Sequence, residues 1–441
     1  MTKISRYNHF HSLEDGSVGA INLFTNATLA LPPDAWRRAQ LLLKNPDIAD
    51  LDPDLHALFR STGFIVDEDF DELSALEEIF KISKGGARQF SLGIITSLQC
   101  NFRCPYCYQD HQDSRMSSAV QDSIVKYLER TLPGKSAFHI AWWGGEPLLE
   151  AKLIDSFGHR IMTLCESLGV RYSSSIISNC YLLTPANISV LNRANLNHLQ
   201  VTLDGPETFH NQRRYLINGK GTYRKIMNGL RNLTQALPTL GITVRVNVSR
   251  GITDIEPWHQ LFDDLEPLKK HVALHFTPVA PAGNFVQLCM PKHRFDDFYR
   301  KITELAQARE FAITSGRKQP GTVYCGAIPV SNWLIHPRGY ITKCTARMDS
   351  PEGSLGKLLP DGTVELNDEA PLWLGFTPFE IEECRNCEVL PTCMGGCLKI
   401  PMHKDPFLDR CGLKSGISQY LKDRIIRERT GGNAQVAIRT R

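Results

Sequence analysis

The 441-residue chain is 42% hydrophobic and 22% charged with a net charge of +3, the balance of an ordinary globular protein with room for two or three domains. No apolar run is long enough to cross a bilayer, and the opening MTKISRYNHFHSLEDG lacks the basic-then-apolar layout of a signal peptide, so the expected setting is cytoplasmic, with no membrane partner. Basic residues are scattered until the tail, so no nucleic-acid partner is expected.

Residues 1–90 read as a small module. The stretch GAINLFTNATLAL predicts a hairpin, PDAWRRAQLLL and DPDLHALFRSTGF predict helices, and the acidic DEDFDELSALEEIF predicts a helix leading out. This pattern is similar to the winged-helix peptide-recognition domains at the front of many peptide-modifying enzymes. A plain N-terminal cap on the following domain is the alternative.

From Ser91 to about Ala280, six strand-like stretches alternate with helical ones: SLGIITS, AFHIAWW, SSSIIS, HLQVTLD, TVRVNV and VALHFTPV. Such alternation predicts a parallel sheet with crossover helices. Ile226, Leu230, Leu233 and Leu237 mark one apolar helix face. Within the strands, Leu199, Val201 and Leu203 oppose Gln200, Thr202 and Asp204, and Val244, Val246 and Val248 oppose Thr243, Arg245 and Asn247. If helices cover the apolar side, the polar side lines a cavity that can hold a ligand. A further helix is expected near residues 292–311.

Thirteen cysteines without an export signal point to metal or cluster ligation, because cytosolic thiols are kept reduced. Cys165, Cys180 and Cys289 stand alone and read as small buried hydrophobes. Cys100, Cys104 and Cys107 follow the first predicted barrel strand at spacings of four and three. Three thiolates can ligate three corners of an iron–sulfur cube and leave one iron open to a ligand that is not protein. With His111 added, the same residues would satisfy a Cys3His zinc site.

The triplet, with Tyr106 before its last cysteine, resembles the CxxxCxxC signature of the radical S-adenosylmethionine (radical SAM) enzymes. The resemblance implies a partial (β/α)6 barrel and a [4Fe-4S] cluster whose open iron chelates S-adenosylmethionine. Reductive cleavage then gives methionine and a 5′-deoxyadenosyl radical that removes a hydrogen atom from the substrate. Gly144-Gly145-Glu146-Pro147 resembles the family's GGEP motif, whose backbone groups and carboxylate meet the methionine amino group. Ser178-Asn179-Cys180 stands where relatives commonly have a Thr-Asn-Gly turn, so Cys180 is a departure. VTLDGPETFHNQRRY resembles the family's S-x-D-G-P…H-D-x-x-R stretch. By that resemblance Thr202 and Arg214 hold the methionine carboxylate and Asp204 lies by the ribose or substrate. Arg213 is the rival of Arg214, and the two arginines also read as a solvated pair. Asn247 is a further candidate for a ribose contact.

Beyond the predicted helix, seven cysteines recur at set spacings: Cys325-x13-Gly339-x4-Cys344, then Cys384-x2-Cys387-x5-Cys393-x3-Cys397, then Cys411. A zinc ribbon's two CxxC pairs would use four of these thiols and leave three without a metal. The row resembles the SPASM signature, which implies two auxiliary clusters, expected to be [4Fe-4S]. By that resemblance Cys384, Cys387, Cys393 and Cys411 hold the outer cluster and Cys325, Cys344 and Cys397 the inner one. Some relatives add a fourth inner ligand where this chain has Ser331, which leaves an inner iron expected to be open.

The expected layout is a recognition module over 1–90, the barrel over 91–290, a bridging helix over 291–315, the cysteine-rich SPASM domain over 316–420 and a basic tail over 421–441. The resemblance implies a maturase of a ribosomally made peptide, with a precursor peptide or protein as substrate and flavodoxin or ferredoxin as reductant. No residue is assigned as acid or base. The runner-up is sulfatase-maturase-like oxidation of Ser or Cys to formylglycine, disfavoured by the stretch ahead of Cys100. A non-catalytic iron–sulfur electron carrier or sensor is the alternative from another class, and it has no need of the nucleoside motifs.

Overall fold

The computed structural model describes residues 1–398, apart from residues 14, 87, 280–285, 315–319, 324 and 349–350. Cys411 and the basic tail lie outside the described residues. Among the described residues two compact units emerge: Met1–Gly85 with Arg317–Pro329 and the segment from Gly375 to Leu398, and Gly86–Gly316 with Val330–Leu374.

In the first unit, β1 (Thr2–Ile4), β2 (Asn8–Ser12), β3 (Val18–Asn22) and β4 (Thr28–Leu31) precede α1 (Pro33–Lys44), α2 (Pro53–Ser61), β5 (Ile65–Asp67) and α3 (Glu72–Gly85). β2, β3 and β4 form an antiparallel meander, and β1 pairs antiparallel with β5. Helix starts follow capping chemistry. Asp52 accepts from Leu55 N ahead of α2, and Asp71 accepts from the backbone N–H groups of Leu73 and Ser74 ahead of α3. The predicted hairpin is β3–β4. β2 was not anticipated, because NHFHS has one large apolar residue and no clean alternation. The acidic helix starts later than expected, since Asp67 still belongs to β5.

This unit also includes part of the cysteine-rich sequence, with short helices at Glu382–Arg385 and Leu390–Cys393. α3 carries several of its contacts with that sequence. The Phe80 and Phe379 rings lie 5.8 Å apart, Lys84 Nζ donates to Phe376 O at 2.7 Å, and Ser83 Oγ accepts from Val323 N at 3.1 Å.

The second unit holds the six predicted strands as β6 (Gln89–Ile95), β7 (Ala137–Trp143), β8 (Arg171–Ser178), β9 (Leu196–Thr202), β10 (Gly241–Val248) and β11 (Val272–Pro278). They pair in parallel and in chain order, which the βαβ crossovers α4 (Ser118–Thr131), α5 (Ala151–Ser167), α6 (Pro185–Arg193), α7 (Glu207–Arg213), α8 (Tyr223–Ala236) and α9 (His259–Leu265) make possible. α10 (Lys292–Ala308) leads to β12 (Ala312–Ile313), which pairs with β11. On the other side of the sheet β13 (Asn332–Ile335) runs parallel to β6, and β14 (Tyr340–Thr342), β15 (Gly356–Leu358) and β16 (Val364–Leu366) continue antiparallel. The sheet therefore stays open, and Cys344 lies two residues past the end of its β14 strand.

Polarity alternates as the sequence implied. Leu199, Val201, Val244 and Val246 are fully buried in one core with Ile226, Leu230 and Leu233 of α8. Each such side chain contributes roughly 2 kcal/mol by leaving water. Thr202, Thr243, Arg245 and Asn247 occupy the opposite face and are half-buried.

Phe80 is 1% exposed, so Phe80→Ala removes a full aromatic side chain from the first unit. Its expected cost is about 3 kcal/mol or more, read as a lower denaturant midpoint. A loss below about 1 kcal/mol would mean that this packing does not hold the unit together.

Candidate active site

The loop that carries Cys100, Cys104 and Cys107 leaves β6 at its carboxyl end, where α/β barrels place their chemistry. It is anchored on two sides. Phe102 bridges to Leu216, Arg103 N donates to Tyr215 O at 3.0 Å, and Ile217 N donates to Asn101 O at 3.2 Å. On the other side Gly145 N donates to Ser97 O at 2.9 Å and Glu146 N to Gln99 O at 2.8 Å. This proximity explains the two glycines in the GGEP stretch. A Cβ on Gly144 would lie 2.6 Å from Ser97 O, and one on Gly145 only 2.2 Å from Gln99 O.

Glu146 is fully buried. Its Oε1 accepts from Ser178 Oγ at 2.7 Å and from Leu148 N at 2.9 Å, and its Oε2 accepts from Asn179 N at 2.7 Å. Burial raises its carboxyl above the usual range, and these donors oppose that rise. Glu146 thus fixes the turn after β8, with Pro147 opening the short helix that follows. In that turn Cys180 is left-handed, with φ of 60°, the conformation that the glycine of the related turns adopts freely. Its N–H donates to Ser178 Oγ at 2.9 Å. Asn179 Nδ2 donates to Asn101 Oδ1 at 2.8 Å and lies 3.9 Å from Cys100 Sγ, which brings the turn onto the cysteine loop.

A second set of bonds organises the stretch after β9. Asp204 N donates to His210 Nδ1 at 3.3 Å, so the ring proton is on Nε2, which donates to Thr222 Oγ1 at 2.9 Å. Thr222 Oγ1 in turn donates to Arg214 O at 2.6 Å. Burial, with Arg214 nearby, lowers the His210 pKa well below its usual value and keeps the ring neutral. One imidazole therefore sets the positions of both Asp204 and Arg214.

Those two residues meet the cysteine loop at Tyr106. The Tyr106 hydroxyl donates to Asp204 Oδ2 and accepts from Arg214 Nη1 at 3.0 Å, and Asn247 Nδ2 lies 3.5 Å from it. Asn247 N also donates to Asp204 Oδ1 at 3.2 Å. Arg213 points elsewhere, with Nε donating to Ser249 Oγ at 2.7 Å. The geometry therefore separates the adjacent arginines. Thr202 ends β9 opposite Arg245. Among the described residues, Arg214 Nε and Asn101 Nδ2 are buried donors without a partner. Asn101, inside the cysteine motif, was not singled out from sequence; its only signal was its place between two ligand candidates.

Burial pushes the Cys100 thiol up to about 12 and the Cys104 thiol up to about 11, the Cys100 shift being reinforced by Glu146. Burial works against the thiolate forms, and a cation bound by the loop would favour them. Among the described residues no three His, Cys, Asp or Glu side chains stand close enough to hold a single metal ion. The three thiols are the donor set that an iron–sulfur cluster takes, and the buried Arg214 and Asn101 donors fit a carboxylate-bearing ligand. Ser331 belongs to the strand-bearing unit, where its backbone oxygen accepts from Ser91 N at 3.2 Å and its hydroxyl lies against Gly86.

Residues 94–265 match the Radical SAM superfamily. GTP 3′,8-cyclase of Stenotrophomonas maltophilia is 31% identical over 179 residues, 40% of this chain and 52% of that protein. AdoMet-dependent heme synthase of Oleidesulfovibrio alaskensis is 24% identical over 190 residues, 43% and 45% of the two. The chain spans about half the length of these curated relatives. Among solved structures, anSMEcpe with bound AdoMet superposes with a TM-score of 0.59 at 18% identity, covering 77% of this chain and 95% of that one. SuiB of Streptococcus suis bound to precursor peptide SuiA superposes at 0.53 with 15% identity, covering 93% and 99%. At these identities the superpositions speak for the fold. The parallel sheet, the cysteine loop at its carboxyl end and the superfamily match over the same residues lead to one conclusion: the chain carries a radical SAM domain.

Proposed function

We propose that this protein is a radical SAM/SPASM maturase that modifies side chains of a ribosomally made peptide by oxidation or crosslinking. The observation that carries the reading is the meeting of the cysteine loop, through Tyr106, with Asp204, Arg214 and Asn247. With cluster and S-adenosylmethionine bound, the pair supplies an electron and a 5′-deoxyadenosyl radical that takes a hydrogen atom from the substrate. The chain's own residues hold and orient. Cys100, Cys104 and Cys107 ligate the cluster, and Arg214 and Asn101 offer their buried donors to the methionine carboxylate. Ser178, Asn179 and Thr202 line the same strand ends, and Asp204 holds the loop through Tyr106.

The cysteines from Cys325 to Cys411 hold two auxiliary clusters in this reading, and flavodoxin or ferredoxin delivers the electron in the cytoplasm. Support for a peptide substrate comes from the likeness to SuiB, which reaches across most of the chain and was solved with a precursor peptide. The structure of anSMEcpe with the Cp18Cys peptide covers 78% of the chain. The front module, with its β2–β4 meander, grips the leader segment. Among the described residues no helix is long and apolar enough to cross a membrane.

Anaerobic reconstitution should load about a dozen irons per chain if all three clusters are cubes. Cys104→Ala should abolish formation of 5′-deoxyadenosine while the later cysteines still take up iron. Mass spectrometry of candidate peptides incubated with enzyme, S-adenosylmethionine and dithionite should show loss of hydrogen. Stoichiometric zinc with no 5′-deoxyadenosine would sink the enzyme reading.

Arg214→Lys keeps the charge but loses the fork that serves Tyr106 and a carboxylate together, so the Kd for S-adenosylmethionine should rise roughly tenfold. Equilibrium dialysis on the reconstituted protein measures it, and an unchanged Kd would return Arg214 to a purely structural role.

A further inference from the structure

None of the six strands β6–β11 carries an Asp or Glu. The face turned away from the helices instead holds His139, His198, Arg245 and His275 among serines, threonines and amides. The two carboxylates at the strand ends are already engaged, Glu146 by Ser178, Leu148 and Asn179, and Asp204 by Tyr106 and Asn247. Among the described residues this inner face offers no unengaged carboxylate.

Arg245 is its central cation. The side chain is half-buried on β10, with Nε donating to Asn247 Oδ1 at 3.0 Å and Nη2 to Thr277 Oγ1 at 3.3 Å. Both partners are neutral, and among the described residues no carboxylate pairs with it. The histidines do not share its charge: burial holds His139 and His275 below the usual imidazole range, and Arg245 pushes His275 lower still. A half-buried guanidinium balanced by no anion favours one arriving with a ligand. Its place fits a substrate. Asn247, which accepts from Arg245, also reaches Tyr106 of the cysteine loop, so an anion on Arg245 would sit beside the reacting centre.

We propose that Arg245 is a specificity residue that receives a carboxylate of the substrate, so that the modified residue lies next to an Asp or Glu side chain or to a free peptide carboxyl end. The proposal rests on the peptide reading above and names the group that the barrel recognises. An Arg–carboxylate pair in this setting is worth roughly tenfold or more in affinity over the neutral isostere.

The test uses the reconstituted full chain with S-adenosylmethionine bound and measures affinities by calorimetry. Probes are acetyl-Ala-Glu-Ala-amide, acetyl-Ala-Gln-Ala-amide, acetyl-Ala-Gln-Ala with a free carboxyl end, and glutarate beside its diamide. The wild type should prefer one or both carboxylate peptides to the capped Gln peptide by roughly tenfold, and the favoured one tells side chain from carboxyl end. Arg245→Gln should erase the preference, and Arg245→Lys should keep part of it. The Lys variant carries the comparison if Gln fails to fold by circular dichroism. Glutarate bound tightly by wild type and weakly by Arg245→Gln, with no peptide bound, would uphold the anion site and discard the peptide reading. Carboxylates bound no better than their amides would overturn the proposal. So would a preference that survives in Arg245→Gln, or a weakened Kd for S-adenosylmethionine in that variant, which would place Arg245 in the nucleoside site instead.

Discussion

The structure of the site turns on a buried carboxylate that must be compensated. Asp204 is fully buried, and burial raises its pKa against the pull of Arg214, the Tyr106 hydroxyl and the Asn247 N–H. Removing one partner of such a set leaves the others uncompensated in a medium of low dielectric, which costs several kcal/mol. Tyr106 is therefore held in place by electrostatics, and the loop between Cys104 and Cys107 is held with it. His210 extends the same constraint backwards, because one neutral ring ties the Asp204 backbone to the Arg214 backbone through Thr222. The spacing of D-G-P, His210 and Arg214 along the chain follows from that closed circuit.

Glu146 does the corresponding work on the opposite side of the loop, and it changes how the GGEP resemblance is understood. Each of its oxygens already accepts from β8-turn or local donors, and the glycines ahead of it are required by the Ser97–Gln99 backbone. The motif is therefore intelligible before any ligand is considered. The turn that Glu146 fixes includes a left-handed Cys180, at a local cost of about 1 to 2 kcal/mol for a side chain where glycine would have none. Three bonds to a buried carboxylate, each charge-assisted, are enough to hold it.

Much of the barrel was legible in the residues. Period-two alternation gave the strand faces, since an apolar residue at every second position can only be buried on one side, and α8 showed its face at helical spacing. Boundaries shifted where capping chemistry decided them, as with Asp71 ahead of α3. β2 was illegible because its register depends on pairing with β3 and not on its own pattern. The cysteine motifs announced themselves by spacing, the family resemblance already preferred Arg214 to Arg213, and the geometry shows Arg214 at Tyr106 while Arg213 turns to Ser249. Asn101 could not be found from its type at all, because an unpartnered buried amide is a property of surroundings.

The first compact unit joins two regions far apart in sequence. α3 presents Phe80, Ser83 and Lys84 to the segments around Phe379, Val323 and Phe376, and the amino-terminal Arg6 reaches Arg385 O at 2.8 Å. Between Cys393 and Cys397 the backbone makes a tight left-handed turn through Met394, Gly395 and Gly396, and a Cβ on Gly395 would lie 2.5 Å from the Phe376 ring. The packing that places Phe376 is thus shared by the front module and the second cysteine group. A truncation of the front module would strip apolar cover from the segments that carry Cys384, Cys387 and Cys393, so lost activity in it would not isolate peptide recognition. Substitutions confined to exposed positions of the β2–β4 meander leave α3 and its contacts intact, and they test the proposed leader grip apart from the packing of the cysteine-rich segment.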